Sequence, residues 1–233
     1  MSVSAVVLAA GEGKRFISRT PKVLAKINSK PLIIYSLNAL SKHPLISSII
    51  IVVNARNSEA ISRLIRKNKI GKVSHIVNGG RRRQDSVGCA LAVLGNRTDL
   101  VLIHDACRPF ISRDIISKAV KAAEKYQAAI IGVPVKATIK SVKCQVSGVR
   151  ENCFIEKTLD RERLWEIQTP QVFKKELILR AYKKFGHLDV TDDAMLVEKL
   201  GKRVVLVKGS YSNIKITTPE DLLIAQTIAK RNT

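Results

Sequence analysis

Four short stretches of the chain carry side chains whose types and spacing suit the handling of phosphate. The first, Leu8-Ala9-Ala10-Gly11-Glu12-Gly13-Lys14-Arg15 followed by Pro21-Lys22, sets glycines and cations just past an apolar run. Glycine lets backbone N–H groups approach an anion closely, because no Cβ intervenes. Arg15 and Lys22 can then neutralise phosphate oxygens, and the small pair Ala9-Ala10 leaves room for a flat base. The spacing matches neither the Walker A loop nor the dinucleotide fingerprint. The second stretch, Gly79-Gly80-Arg81-Arg82-Arg83-Gln84-Asp85-Ser86, offers backbone groups that can read a base edge and a Ser86 hydroxyl to hydrogen-bond it. A plain turn, with Asp85 offsetting a helix dipole, is the alternative.

The third stretch is His104-Asp105-Ala106-Cys107-Arg108-Pro109-Phe110. A carboxylate directly after an apolar run suits Mg²⁺, which commonly takes one or two carboxylates plus substrate phosphates. Arg108 can grip a phosphate bidentately, or pair with Asp105 inside a turn. The fourth stretch is Asn213-Ile214-Lys215-Ile216-Thr217-Thr218-Pro219-Glu220-Asp221. Threonine, then proline and two acids, marks a helix N-terminus, with Lys215 just ahead of it. By itself Lys215 reads equally as a surface lysine.

These stretches need elements to hold them. Val3–Leu8, Ile49–Val53, Val73–Val77, Leu100–Ile103 and Ala128–Val133 read as strands, and Ile49–Val53 is a continuous β-branched run of the kind buried on both faces. Pro31–Lys42, Ser58–Asn68, Asp85–Leu94 and Asp114–Lys125 read as the helices between them. The alternation predicts an α/β, Rossmann-like, mostly parallel sheet with helices on both faces and right-handed crossovers. Ligands of such sheets lie beyond the carboxyl ends of the strands, which singles out the loops after Leu8, Val77 and Ile103. Residues 136–160 break the rhythm and read as a projecting β-ribbon turning near Ser147–Gly148. A lone ribbon is marginal in water, so a second subunit is the economical partner for it. Lys174–Lys183, Thr191–Leu200, Arg203–Val207 and Pro219–Lys230 follow as helix, helix, strand and helix. Residues 1–233 thus read as one domain with an arm.

Composition narrows the classes. The 233 residues are 45% hydrophobic, enough for a core without metal or disulfide staples. No apolar run reaches the roughly 20 residues of a membrane span. The opening MSVSAVVLAAGEGKR lacks a basic leader and reads as a first strand, not a signal peptide. With 41 Lys+Arg against 19 Asp+Glu the formal charge is +22, which favours anionic partners without naming one. An aromatic content of 4% weighs against base-stacking on single-stranded nucleic acid, and no nucleic-acid motif appears, so no specific nucleic-acid partner is expected. Cys89, Cys107, Cys144 and Cys153 form no C-x-x-C pair and read as four reduced thiols, which points to the cytoplasm.

Taken in order, LAAGEGKR, PK, GGRRRQDSV, IHDACRPF, TPQVF, TDDA and NIKITTPEDL resemble the 2-C-methyl-D-erythritol 4-phosphate cytidylyltransferase family from Val3 to about Ala229. The resemblance implies a glycosyltransferase-A-like nucleotidyltransferase fold, a homodimer with interlocked arms, CTP and a polyol phosphate as substrates, and Mg²⁺ as cofactor. It implies cytidine and loop contacts at Ala9, Ala10, Gly11, Gly13, Gly79 and Ser86, with Arg15 and Lys22 stabilising charge on the triphosphate. Asp105 would face the metal. Thr138, Arg161, Thr169 and Lys215 would hold or orient the methylerythritol phosphate, Arg161 reaching the neighbouring subunit's site and Thr191 lying near the pocket. The chain departs from the family pattern with Ala137 before Thr138, Val23-Leu24 after Pro-Lys, and Cys107 where alanine is common. Two anions must meet in this reaction, so positioning and neutralisation carry it and no protein nucleophile is needed. Ribitol-phosphate and other polyol-phosphate cytidylyltransferases share most of these motifs. TDDAMLVE and KTLDR lean toward methylerythritol phosphate. PKVL alone suggests a uridylyltransferase, and the charge alone a nucleic-acid-binding protein.

Overall fold

A computed structural model describes residues 1–233 except 12, 14, 15, 17–19, 148, 149, 232 and 233. Its strands in chain order are β1 (Val3–Ala9), β2 (Lys26–Ile27), β3 (Lys30–Pro31), β4 (Ile46–Val53), β5 (Val73–Asn78), β6 (Leu100–Asp105), β7 (Ala128–Pro134), β8 (Lys140–Ser147), β9 (Arg150–Thr158), β10 (Trp165–Lys174) and β11 (Val205–Lys208). The α-helices are α1 (Leu32–Ser41), α2 (Ser58–Lys67), α3 (Arg83–Leu91), α4 (Arg113–Tyr126), α5 (Lys175–Phe185), α6 (Asp193–Lys199) and α7 (Pro219–Arg231).

The central sheet runs β11-β7-β10-β6-β1-β4-β5. Strands β1, β4, β5 and β6 pair parallel, as do β7 and β11. The apolar runs in β1, β4, β6 and β7 are buried on both faces, because helices cover both sides. On one face Val3, Ala5, Val7 and Ala9 pack with Ile33 and Leu37 of α1, Ile61 of α2, and Ile116 and Val120 of α4. On the other, Val6, Val52, Val101 and Ile103 pack with Val87 of α3, Ile178 of α5 and Leu196 of α6. A smaller cluster of Ile27, Leu32, Ile216 and Ala225 fastens α7 to the β2–β3 hairpin.

The expected alternation of strand and helix is present, and β10 is the addition that the sequence pattern did not announce. It runs antiparallel between β6 and β7. Its residues, WEIQTPQVFK, show neither alternation nor an apolar run, and Pro170 reads as a strand breaker. The register against β7 shifts between Gln168 and Gln171, so Thr169 and Pro170 leave that ladder and the missing proline donor costs no hydrogen bond there.

Strands β8 and β9 form a separate antiparallel ribbon where an arm is expected. Gly148 of its expected turn lies outside the described residues. The cysteines differ from expectation: Cys144 and Cys153 face each other across the ribbon with Cα atoms 4.0 Å apart and form a disulfide. Each lies three residues back from the Ser147–Arg150 pair, so ribbon register, not a sequence motif, brings them together. Cys89 and Cys107 remain free thiols. The case for a reducing compartment rests on four unpaired thiols and loses two of them. Among the described residues, no helix is long and apolar enough to cross a membrane.

Candidate active site

The carboxyl ends of β1, β4, β5 and β6 lie along one edge of the sheet, as their parallel pairing requires. A cleft of about 620 Å³ opens there, lined from the three loops singled out above: Ala10, Gly11 and Gly13 after β1, Gly80 to Arg83 after β5, and Asp105 and Cys107 at the end of β6. Leu8, Lys22, Val23, Asn54, Ser86 and Lys215 complete its wall. A second cleft of about 250 Å³ adjoins it, lined by Thr169, Gln171, Thr191, Asp192 and Arg108 among others. Arg83, Asp105 and Lys215 line both, so these three residues form the partition.

Small residues make the floor of the larger cleft. A Cβ on Gly79 would lie 2.5 Å from the Ala10 Cβ and 2.6 Å from the Ser86 Oγ, so only glycine lets β5 and the start of α3 close against β1. Gly79 N–H donates to the Val53 carbonyl at 2.9 Å, and Gly80 N–H to the Ser86 Oγ at 3.2 Å. Gly13 adopts a φ of +65°, the left-handed region that favours glycine. Asp85 caps α3, accepting from the Arg82 N–H at 3.0 Å, and so takes the helix-start role.

The three consecutive arginines separate completely. Arg81 stays exposed at the cleft wall. Arg82 turns away to Asp85, Asp189 and the carbonyls of Gly186 and His187, binding α3 to the loop after α5. Arg83 turns inward. Its Nε lies 3.4 Å from Asp105 Oδ1 and its NH1 2.7 Å from Asp193 Oδ2. Lys215 Nζ lies 2.6 Å from the other Asp105 oxygen. Burial by itself would raise the Asp105 pKa, but Arg83, Lys215 and Arg108 overcome it and hold the carboxyl well below the usual range. The neighbouring cations thus favour the ionised form of Asp105.

Asp105 and Lys215 are held in place by groups behind them. The Asp105 N–H donates to the Thr169 hydroxyl at 3.0 Å, and that hydroxyl lies 3.1 Å from His104 Nδ1. His104 Nε2 lies 3.1 Å from the Arg108 carbonyl, which can only accept, so the neutral ring carries its proton on Nε2 and takes the Thr169 hydrogen at Nδ1. Burial lowers the His104 pKa to about 4, which keeps the ring in that neutral form. The Lys215 loop is pinned by Ile216 N–H to the Cys107 carbonyl at 2.9 Å and by Arg108 NH1 to the Asn213 carbonyl at 2.8 Å. Lys22 approaches the Cys107 thiol, whose pKa burial raises while the ammonium opposes the shift.

Of the expected site residues, Ala10, Gly11, Gly13, Lys22, Ser86, Asp105 and Lys215 line the larger cleft and Arg108, Thr169 and Thr191 the smaller. Arg15 lies outside the described residues. Ala9 packs its side chain into the core and is not part of the cleft lining, and Gly79 backs the wall from behind. The Arg108 guanidinium already donates to the Asn213 and Ile167 carbonyls, and its Nε is buried with no partner. Thr138 and Arg161 sit exposed at the base of the arm, outside both clefts, with Arg161 donating to the Lys136 carbonyl at 3.1 Å. Arg83, Asp193, Asn213 and Gln171 receive no individual role from sequence reasoning. Arg83 stands in the arginine run, and Gln171, Asp193 and Asn213 stand in TPQVF, TDDA and NIKITTPEDL, but residue type alone does not say what any of them touches.

No cluster of three or more His, Cys, Asp or Glu side chains with metal-site spacing occurs among the described residues. A single ionised carboxylate at the junction of the clefts suits Mg²⁺ nonetheless, since that ion completes its shell from water and phosphate oxygens. Asp105 fits that requirement.

The sequence model of the family described as "IspD: 2-C-methyl-D-erythritol 4-phosphate cytidylyltransferase" matches residues 3–231. Proteins of that name from Shouchella clausii and Caldanaerobacter subterraneus are 42% and 43% identical to this chain, over 99% of it and 98% and 100% of their own lengths. The fold is similar to the crystal structure of a 4-diphosphocytidyl-2C-methyl-D-erythritol synthase from Anaerococcus prevotii, at a TM-score of 0.83 and 31% identity over 98% of both chains. It is similar as well to a cytidylyltransferase structure from Thermus thermophilus, at a TM-score of 0.76 and 28% identity over 97% of this chain and 98% of that one.

Proposed function

Because the chain belongs to the 2-C-methyl-D-erythritol 4-phosphate cytidylyltransferase family, we infer that it transfers the cytidylyl group of CTP to 2-C-methyl-D-erythritol 4-phosphate, releasing pyrophosphate. The observation that carries this reading beyond membership is the pair of adjoining clefts divided by Arg83, Asp105 and Lys215. The larger suits a nucleoside triphosphate and the smaller a phosphorylated polyol of few carbons.

An acceptor phosphate oxygen attacks the α-phosphorus of CTP. The bond from that phosphorus to the bridging oxygen breaks, and its electron pair leaves with pyrophosphate. The attacking atom is already an anion, so the protein need not remove a proton. Its task is to hold two like-charged groups in line and offset the charge that builds between them. Lys22 faces the triphosphate side, with Arg15 assigned there by family position. Lys215 and Arg83 lie where both substrates meet. Ala10, Gly79 and Ser86 shape the base pocket. Mg²⁺ held by Asp105 would supply further neutralisation of the triphosphate.

The arm supports a homodimer. Its apolar side chains Val142, Phe154 and Ile155 are 52%, 60% and 66% exposed, which an isolated ribbon does not sustain in water. A partner covering them would bring Arg161 and Thr138 toward its own acceptor cleft. Sedimentation should then give a dimer mass, and Phe154→Asp should shift it toward the monomer.

The test is pyrophosphate release from CTP and Mg²⁺ with each acceptor supplied singly. Turnover with methylerythritol phosphate exceeding that with ribitol 5-phosphate is the expected result. The reverse order would assign a different polyol phosphate, and no turnover with any acceptor would refute cytidylyl transfer.

A further inference from the structure

Arg83 stands on the partition between the clefts, yet the group that holds it lies in neither. Asp193 begins α6 and is fully buried. Its Oδ2 takes Arg83 NH1 at 2.7 Å, and its Oδ1 accepts from the Tyr182 hydroxyl. Gln171 fixes the backbone at the same point, its Oε1 accepting from the N–H groups of Asp193 at 3.2 Å and Ala194 at 3.3 Å. The chain Tyr182–Asp193–Arg83–Asp105–Lys215 thus runs from the core under α5 to the junction of the clefts.

We propose that Asp193 is a positioning residue for the transfer: its buried carboxylate aims the Arg83 guanidinium at the wall the two substrates share and keeps it from closing fully on Asp105. Arg83 is tight to Asp193 and loose to Asp105, at 2.7 and 3.4 Å. Arginine on a long stem has many rotamers and a strong preference for bidentate carboxylate contact. Without the anchor, the nearest anion left to Arg83 is Asp105, and a full Arg83–Asp105 pair would occupy the oxygens that face Lys215 and any bound cation. With the anchor, the second terminal nitrogen of Arg83 makes no hydrogen bond among the described residues and can turn to a phosphate oxygen.

The inference rests on the cytidylyl-transfer reading, and the experiment separates the two. Steady-state pyrophosphate release is measured for wild type, Asp193→Asn, Asp193→Glu, Tyr182→Phe and Val197→Ala. Val197 packs in the core on the same helix and serves as a stability control. Asp193→Asn is expected to lower kcat about 10- to 100-fold with the KM for CTP changed less than about threefold, the scale of loss when a supporting contact behind a site is removed. Asp193→Glu should recover most of that rate, and Tyr182→Phe, which deletes one hydroxyl and keeps the ring, should lose a smaller factor of about 3–10. Val197→Ala should lower Tm and leave kcat near wild type. Three results would overturn the positioning role: wild-type kcat in Asp193→Asn, a rise in KM with kcat intact, or an equal loss in Val197→Ala at matched Tm. A wild-type protein inactive with every acceptor would instead overturn the transfer reading itself.

Discussion

Removing the Lys215 ammonium separates its chemical role from its structural one. Lys215→Met keeps most of the stem and deletes the charge. In the native protein Nζ lies 2.6 Å from Asp105, a bare attraction of about 6 kcal/mol at an effective dielectric of about 20. Little of that reaches stability. The Lys215 side chain is 40% exposed, so water screens the pair and both partners lose hydration in forming it; about 1 kcal/mol is the net scale for such a pair. Arg83 also stays beside Asp105 after the substitution. The expected drop in Tm is therefore about 2–4 °C for a chain of this size. Catalysis should fall much further. Lys215 borders both clefts, where negative charge accumulates in the transition state, and one such donor is worth roughly 3–4 kcal/mol, or about 10²–10³ in rate. Pyrophosphate release gives the rate, and circular dichroism with a melting curve gives the fold. A variant that melts a few degrees lower and keeps near-native turnover would refute the placement of Lys215 in the chemistry.

Other perturbations test other parts of the site. Lys22→Ala should cut turnover by about 10²-fold or more with an unchanged circular dichroism spectrum; near-native rates would remove Lys22 from the mechanism. Gly79→Ala forces a methyl against Ala10 and Ser86, so a stability loss of about 1–3 kcal/mol with weakened CTP binding is expected by denaturant melts and calorimetry. His104 gives a pH signature. Its pKa is lowered from 6.5 to about 4 by burial, so the unfolded chain takes up the proton first as pH falls. The stability it contributes is fully present above pH 6.5 and is lost between there and about pH 4, a change of about 3 kcal/mol. His104→Gln should flatten the unfolding free energy across that window, and an unchanged slope would refute the neutral buried ring. Chelation of divalent cations should abolish turnover and added Mg²⁺ restore it; full activity in a chelator would exclude the metal from the reaction.

Much of the cleft-bearing edge is legible in the sequence. β-Branched runs such as Ile49–Val53 have one economical use in an alternating chain, as strands covered on both faces. Once those strands are parallel, the loops after β1, β5 and β6 must share an edge, and Lys22, Ser86 and Asp105 meet there. Strand β10 was hidden because its role comes from neighbours: β6 and β7 supply the hydrogen bonds and burial that its own residues do not request. The Cys144–Cys153 bridge was hidden for the same reason, being a product of ribbon register.

Residue types and their order along the chain determined the parallel strands, the glycine-rich loops and the cationic character of the cleft, because apolar β-branched runs and glycine turns carry their preferences in the local sequence. Only the tertiary structure decided what each charge does. Arg81, Arg82 and Arg83 are identical and consecutive and all border the larger cleft, yet Arg81 stays exposed, Arg82 braces a loop and Arg83 reaches the buried Asp193 across 110 residues of sequence. A guanidinium pairs with whichever carboxylate the packing brings within about 3 Å, and that distance is set by the whole fold.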